Sequence, residues 1–447
     1  MSDQPNASTK DAVPSHRQIW QLAWPMMLSN LSIPLLGAVD TAILGHLPNA
    51  VYLGAVTLGA SVVSLLLWSF GFLRMGTTSV TARALGAGDD HRVREVLAQS
   101  LLIGVAMACL VTLAGPLLLP VILGWMNPSA EVLALALSYA QIRLLGAPAS
   151  LMNYALVGWF IGRQDTRRPL AILFTVNGLN IALDAVFILG FGLNSDGAAW
   201  ASVVAEYGGL VLGLWLALRV LSRTPGQWDI PALKRLGQYR ELFVVNRHLF
   251  VRTLCLLAIF VFFAAQGAQM GDQILAANAI LMQFLLLTSY ALDGFAHAAE
   301  ALVGRATGAN APLAFRAAVR RTGLWALLCA ALISALFILG APWWPGLFTD
   351  LPTVEALVRA HFVWVCLIPL VGVWGYQLDG VFLGSGQTAA MQYTVLISAA
   401  LFLVLWWPLS AFGNHGLWLC FLIFNALRGL LLGAVFGYRY GYRTRPA

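Results

Sequence analysis

Charged side chains are scarce in this sequence of 447 residues. They make up 10% of the chain and hydrophobic residues make up 60%, whereas a soluble globular chain carries about 25% charged residues. The five cysteines all fall inside apolar runs and show no metal-ligand spacing. The composition therefore excludes an ordinary soluble domain and a cysteine metal centre, and it predicts a polytopic membrane protein.

Motifs for ATP hydrolysis and for catalysis are missing as well. No Gly-rich loop is followed by Lys-Ser or Lys-Thr, so nothing in the sequence indicates an ATP-driven pump. No aspartate-rich pair, His-Glu helix motif or Gly-x-Ser-x-Gly turn indicates an intramembrane enzyme. We therefore expect a protein that is not an enzyme and that holds no cofactor.

Long apolar runs occupy most of the chain. Twelve of them have about the 20 residues that a transmembrane helix needs, which predicts an all-α membrane protein with twelve spans. The runs lie at 18–45, 52–80, 95–122, 132–160, 168–193, 197–221, 243–268, 274–303, 316–342, 354–383, 389–412 and 416–438.

Basic residues lie on alternate loops between these runs. Loops with pairs such as Arg92 and Arg94, or Arg316 and Arg320, alternate with loops that carry almost no positive charge. By the positive-inside rule, both termini are cytoplasmic. The net charge of +7 therefore reflects membrane orientation and does not indicate a nucleic-acid partner. The polar amino terminus lacks a signal-peptide pattern, so we expect the first span to be retained.

An internal repeat relates the two halves of the chain. Arg83-Ala-Leu-Gly-Ala-Gly-Asp is separated by 222 residues from Arg305-Ala-Thr-Gly-Ala-Asn-Ala, and Gly158-Trp-Phe-Ile-Gly162 by the same offset from Gly380-Val-Phe-Leu-Gly384. Six spans per repeat predict two lobes with the same orientation, related by a pseudo-two-fold axis along the membrane normal. The predicted segments are a cytoplasmic tail at 1–17, an amino-terminal lobe at 18–222, a cytoplasmic linker at 223–242, a carboxy-terminal lobe at 243–438 and a tail at 439–447.

Polar residues in the fifth run give the clearest signal of a functional site. Asn177, Asn180 and Asp184 are spaced i, i+3 and i+7 and therefore share one helix face. A carboxylate at mid-membrane depth is costly unless it faces a protein interior or a water-filled cavity. Asp40 lies at similar depth in the first run. The two acids predict a site for a proton or for Na⁺ bound by Asp40, Asn180 and Asp184, and the sequence does not decide between these ions.

Other intramembrane residues extend this site or form a cavity. Ser202 in the sixth run adds a hydroxyl to the predicted cluster. Pro25 and Pro34 predict a kink in the first span, because proline removes a backbone hydrogen bond. Arginines inside the runs are fewer than the acids, so we expect some acids to lack a basic partner. The predicted cavity residues are Tyr139, Asn153, Asn177, Glu206, Asp293, Glu300 and Asp379.

Four segments carry a family resemblance when they are taken together and in order. They are Val39-Asp40-Thr-Ala-Ile-Leu-Gly-His46, Gly76-Thr-Thr-Ser-Val-Thr-Ala-Arg83-Ala-Leu-Gly-Ala-Gly88, Asn180-Ile-Ala-Leu-Asp184 and Gly197-Ala-Ala-Trp200. They resemble the multidrug and toxic compound extrusion (MATE) transporters. A fifth segment, Leu292-Asp-Gly-Phe-Ala-His-Ala-Ala-Glu-Ala-Leu-Val-Gly304, resembles the branch named after DNA-damage-inducible protein F.

The resemblance implies a V-shaped fold of two six-helix lobes and cation-coupled export of amphipathic, often cationic compounds. It places the amino-lobe cation site at Asp40, Asn180, Asp184 and Ser202, with Tyr139 and Asn153 nearby. The seventh run, at 244–267, has no Asp or Glu. The coupling acid that other branches of the family place there is therefore missing, which favours the amino-lobe cluster.

These observations predict a proton-coupled antiporter of the bacterial cytoplasmic (inner) membrane. We expect it to export amphipathic or cationic drugs and toxic compounds by alternating access, as a monomer surrounded by membrane lipids. One alternative is coupling to Na⁺. Another is a flippase for a lipid-linked substrate, which the excess of intramembrane acids disfavours. A passive scaffold is disfavoured by the internal repeat.

Overall fold

Helices account for all the regular structure that is described. The computed structural model describes residues 13–45, 49–126, 128–224, 226, 230–233 and 235–441, except the side chains at 35, 36, 38, 40–42, 50, 230 and 232. No strand occurs within these residues. The predicted all-α fold is therefore confirmed.

Each predicted apolar run coincides with one helix or with two consecutive helices. A π-helical turn, Ala185–Gly190, follows the seventh helix. The helices are α1 His16–Gly45, α2 Ala50–Ser69, α3 Phe72–Ala87, α4 Asp90–Trp125, α5 Ala130–Leu144, α6 Ala147–Gly162, α7 Arg167–Asp184, α8 Asn194–Leu221, α9 Ile230–Leu233, α10 Arg240–Gln269, α11 Asp272–Gly308, α12 Pro312–Gly340, α13 Pro352–Gly384, α14 Thr388–Leu409 and α15 Gly413–Phe436.

Length and composition identify most of these helices as membrane spans. Within the described parts of the chain, nine segments are long and apolar enough to cross a membrane, or ten when the bent pair α5 and α6 counts as one span. The segment Thr388–Tyr440 contains both α14 and α15, which pack against each other. It therefore holds two of the predicted spans. The helix α1 is not among the nine.

Large apolar side chains cover the outside of the helices. Leu113 and Leu117 on α4 are 77% and 78% exposed, and Trp407 on α14 is 86% exposed. Soluble proteins rarely expose apolar surface on this scale, whereas lipid hydrocarbon is as apolar as these side chains. Together with the long apolar helices, this exposure identifies a polytopic membrane protein.

The described chain divides into two compact units. The N-unit comprises residues 28–246, and the C-unit comprises 13–27 together with 247–441. The N-unit core contains Trp159, which is fully buried and donates from Nε1 to the carbonyl of Val93 at 2.8 Å. The C-unit core is rich in aromatic rings, and Phe402 and Trp418 in it are fully buried.

The same close contact between helices occurs inside each unit. Gly158 of α6 lies against the backbone carbonyl of Arg74 on α3, and Gly380 of α13 lies against that of Ala296 on α11. A Cβ atom at either glycine would collide with the facing oxygen. Each residue of the second pair lies 222 positions after its counterpart, which is the offset of the sequence repeat.

Backbone conformation repeats at the same offset. Gly88 has a φ of 74° and Asn310 a φ of 53°, and each follows closely on the end of its helix. Gln164 has a φ of 61°, and Gly386 a φ of 74°. These positions lie in the left-handed region, which single residues visit to end a helix. The two units therefore share helix ends as well as helix contacts.

Candidate functional site

A pair of hydrogen bonds joins α7 to α1 inside the N-unit. Asn177 is 7% exposed, and its Nδ2 donates to Ser32 Oγ at 2.8 Å. The Ser32 hydroxyl in turn donates to the carbonyl of Ser29, one turn earlier on α1, at 2.7 Å. Asn177 thereby connects α7 to the helix that carries Asp40.

The side-chain amide of Asn180 lies between Asp184 and Ser202. When its Nδ2 faces the carboxylate, it donates to Asp184 Oδ2 at 3.0 Å. Its oxygen then accepts from Ser202 Oγ at 3.0 Å and from the Ser202 backbone N–H at 3.1 Å. Asn180 and Asp184 are 2% and 1% exposed. The structure thus brings together three of the four residues that the sequence analysis assigned to the cation site.

The backbone changes its helical form directly after Asp184. This residue ends α7, and the following turn, Ala185–Gly190, is π-helical. Such turns are rare and occur frequently at functional sites. The sequence analysis missed this turn, because no residue pattern in the apolar run marks it.

The fourth residue of the predicted site lies on α1. Asp40 belongs to this helix, and its side chain lies outside the described residues, so its place in the cluster stays a prediction. The helix α1 continues through both prolines, of which Pro25 is buried and Pro34 exposed. The kink predicted at these prolines also stays a prediction.

A second polar group surrounds the break between α5 and α6, which are bent by 48°. Arg143 Nη2 lies 2.9 Å from Glu206 Oε1 of α8. Asn153 Nδ2 donates to the backbone carbonyl of Glu206 at 3.0 Å, and the Tyr207 hydroxyl donates to the carbonyl of Leu145 at 3.1 Å. The helix α8 therefore holds the chain before, within and after the break.

Two further predictions concern this region. Glu206 has a basic partner in Arg143, so the expectation of unpaired acids does not hold for it. Tyr139, one turn before Arg143 on α5, is 5% exposed. A Cβ atom at Gly59 of α2 would lie 2.7 Å from the Tyr139 ring. Tyr139 of α5 is therefore packed against α2.

Asp379 has two basic partners in the C-unit. Arg252 of α10 and Arg428 of α15 both donate to its Oδ2, the second at 2.7 Å. The side chains of Arg252 and Asp379 are 9% exposed, and that of Arg428 is 7% exposed. The sequence analysis singled out Asp379 but not this pairing, because helical spacing relates only residues of the same helix.

The remaining predicted acids lie on α11. Glu300 is 1% exposed, and its Oε2 is 3.4 Å from His297 Nδ1. Asp293 is partly buried, about two turns earlier on the same helix. Of the predicted acids, Glu206 and Asp379 are therefore paired with arginines and Glu300 lies beside His297. That they line a cavity stays a prediction.

The family model MatE matches residues 25–186 and 249–407 of this chain. The chain belongs to the MatE family. The two matched stretches fall one in each half of the chain, as the internal repeat predicts. MatE proteins are transporters and not enzymes.

Similar proteins agree with this MatE assignment. DNA damage-inducible protein F of Escherichia coli is 39% identical over 425 residues, which cover 94% of this chain and 92% of that protein. The probable multidrug resistance protein NorM of Caulobacter vibrioides is 26% identical over 419 residues, with coverages of 87% and 84%. These relatives confirm the predicted family and its branch.

A solved MATE structure has the same fold. It is described as the outward-facing conformation of a multidrug resistance MATE family transporter of the MOP superfamily. Its TM-score to this chain is 0.84 at 20% identity, over 99% of both chains. MATE transporters have twelve helices in two lobes, so the predicted fold class is confirmed.

The two units of this MatE protein differ at the position of the candidate site. The residues 222 positions after Asn180 and Asp184 are Phe402 and Trp406. The ring centroid of Phe262 lies 5.7 Å from that of Phe402 and 6.3 Å from that of Trp406. Aromatic packing in the C-unit thus takes the place that an amide and a carboxylate hold in the N-unit.

Proposed function

We propose that this MatE protein is a proton-coupled antiporter that exports amphipathic, often cationic compounds by alternating access. Membership of a transporter family and relatives named for multidrug resistance support export of drugs and toxic compounds. The observation that carries the coupling ion is the hydrogen-bonded arrangement of Asp184, Asn180 and Ser202.

A proton suits this arrangement better than a metal cation. The amide of Asn180 presents an N–H to the carboxylate, and its oxygen already accepts two hydrogen bonds from Ser202. Hard cations are bound by several oxygen ligands. A Na⁺ ion at Asp184 would need the amide reversed and further oxygen ligands beside it, whereas a proton needs only one carboxylate oxygen.

Protonation of Asp184 would reverse the amide. A protonated carboxyl is a donor, so Asn180 would turn its oxygen toward it. Its Nδ2 then faces Ser202 Oγ at 3.0 Å, and the bond from the Ser202 backbone N–H is lost. Proton uptake would therefore change the connection between α7 and α8 without moving a helix first.

The other predicted residues have defined parts in this proposal. Asp40 is the second coupling acid, and two close acids titrate as a pair. The link between Asn177 and Ser32 would pass a change in α7 to α1. A cationic substrate that competes with the proton for the same carboxylates gives antiport.

The membrane setting of the proposal follows from charge distribution. Basic loops place both termini in the cytoplasm by the positive-inside rule. The bacterial relatives support the bacterial cytoplasmic membrane. We propose a monomer, in which each chain carries its own coupling site in the N-unit.

The test uses purified protein in liposomes loaded with a cationic dye. We would impose a pH gradient without Na⁺ and then a Na⁺ gradient without a pH gradient. Wild type should move dye with the pH gradient alone. Asp40→Asn and Asp184→Asn should abolish this movement and leave folding intact. Glu355→Gln, at a partly exposed acid paired with Arg359, is the control and should transport normally.

Each other outcome identifies an alternative. Dye movement only with the Na⁺ gradient would mean that Na⁺, and not a proton, is the coupling ion at the same residues. Full transport by both Asn variants would refute the assignment of the coupling acids. Movement under neither gradient would favour a flippase for a lipid-linked substrate, which a scrambling assay with labelled lipid would detect.

A further inference from the structure

Two guanidinium groups in the C-unit use few of their hydrogen-bond donors. Arg252 and Arg428 each donate one hydrogen bond to a described residue, in both cases to Asp379 Oδ2, although a guanidinium carries five N–H donors. Nε of each arginine and Oδ1 of Asp379 are buried without a hydrogen-bond partner in the described part of the chain.

This triad is more basic than a structural ion pair requires. One carboxylate balances one arginine, so the three side chains carry a formal charge of +1. An uncompensated arginine inside a membrane span is costly and is typically found in a functional pathway. The triad links α10, α13 and α15 through both arginines, but Asp379 can neutralise only one of them, so the link does not explain the second positive charge.

Neighbouring groups supply apolar surface and one further acid. The guanidinium carbon of Arg428 lies 5.9 Å from the ring centroid of Tyr376 and 5.8 Å from that of Phe424. The Tyr376 hydroxyl is 2.6 Å from that of Ser289 on α11. Asp293, one turn after Ser289, is the other carboxylate on this side. Its charge partly offsets that of the second arginine, while Nε of both arginines has no hydrogen-bond partner among the described residues.

We propose that Arg252 and Arg428 bind an oxyanion, namely the carboxylate, sulfonate or phosphate group of an amphipathic molecule. The proposal rests on the proposed function, because the molecule is part of the exported substrate range. A guanidinium fork matches the two oxygens of such a group. Asp379 holds the two forks together, and the aromatic rings beside Arg428 contact the apolar part of the ligand.

The test compares two ligands that differ by one carboxylate. A cationic rhodamine ester and its free acid are titrated onto purified protein in neutral detergent, with fluorescence polarisation as the readout. Wild type should bind the acid at least about tenfold more tightly, because hydrogen bonds between charged groups are individually worth about that factor. Arg252→Gln and Arg428→Gln should each lose this preference and keep the affinity for the ester.

A third variant separates binding from structure. Asp379→Asn removes the carboxylate that competes for the guanidinium donors, so it should bind the acid more tightly than wild type does. A purely structural triad would instead lose affinity for both ligands in all three variants. Arg359→Gln, an exposed arginine paired with Glu355, is the matched control and should change neither affinity.

Two results would overturn the proposal. One is equal affinity of wild type for ester and acid. The other is a parallel loss of both ligands in the arginine variants. Where a Gln variant does not fold, the Lys variant at that position replaces it. Lysine keeps the charge and lacks the fork, so acid affinity should fall while ester affinity stays.

The source of the oxyanion is decided in nanodiscs. Two results together would identify a lipid headgroup. Added phosphatidylglycerol would compete with the acid, and native mass spectrometry would detect a phospholipid bound to wild type but not to Arg252→Gln. Absence of competition would identify the exported amphiphile. Transport of the ester under a pH gradient is scored separately. If the ester is not transported while binding of the free acid still depends on the two arginines, only the proposed function is overturned.

Discussion

Replacing two equivalent glycines by alanine tests a close helix contact that recurs in the two units. A Cβ atom at Gly162 would lie 2.8 Å from the carbonyl oxygen of Thr78, and one at Gly384 would lie 2.5 Å from that of Glu300. Ordinary contact begins at 3.4 Å. The helices would therefore have to separate by about 0.6 Å and about 0.9 Å, and overpacking of this kind costs about 1–3 kcal/mol.

Gly178 provides the matched control. It lies inside α7, and nothing lies within 4 Å of a Cβ atom built there. Alanine is a better helix former than glycine by up to about 1 kcal/mol, so Gly178→Ala should leave stability unchanged or raise it.

The assay is thermal unfolding of the purified variants in one detergent. We expect lower midpoints for Gly162→Ala and Gly384→Ala, with the larger loss at Gly384. Midpoints equal to wild type for both variants would refute the close approach of α3 to α6 and of α11 to α13. They would also remove the structural support for the internal repeat at these positions.

Two further predictions concern polar contacts in the N-unit. Glu206→Gln should destabilise the protein by roughly 2–3 kcal/mol, because it leaves Arg143 poorly paired. In a double-mutant cycle with Arg143→Met, measured by denaturation, most of this loss should appear as coupling energy between the two residues. A coupling energy near zero would contradict the prediction. Asn177→Ala should lower the stability by about 1 kcal/mol through the lost hydrogen bond to Ser32. Adding Ser32→Ala to this variant should lower the stability little further. Additive losses of stability in thermal unfolding would mean that the two side chains act independently.

Hydropathy was sufficient to predict where the helices lie. A span needs about 20 apolar residues, and this requirement leaves little freedom in an apolar chain. The polar residues of the fifth run could also be recognised from sequence, because amides and acids are rare at that depth. The burial of Asn177, Asn180 and Asp184 agrees with that interpretation. So do the hydrogen bonds that Asn180 accepts from Ser202.

The irregular backbone within the apolar runs could not be predicted from the sequence. Hydropathy does not change at Leu145, where α5 ends and α6 follows, so the fourth apolar run was predicted to be one helix. The π-helical turn after Asp184 was hidden for the same reason. Both segments pack against α8. At the first break Gly146 and Pro148 mark the start of α6, but they do not predict the bend between the two helices.

Ion pairs between helices could not be predicted either. Arg143 and Glu206 are 63 residues apart, and Arg428 is 49 residues from Asp379. Periodicity relates residues within one helix only, and the number of possible pairs between twelve helices is large. The expectation that some acids lack a basic partner therefore does not apply to Glu206 and Asp379, which are paired with arginines.

The pairing of Arg252 with Asp379 has a consequence for biosynthesis. Arg252 precedes Asp379 by 127 residues, so α10 emerges from the ribosome long before its counter-ion exists. An arginine at the centre of an inserting helix is unfavourable by about 2.5–3.5 kcal/mol on the translocon scale. The apolar residues of α10 must offset this alone during insertion, and the helix completes its pairing only once α13 and α15 have entered the bilayer.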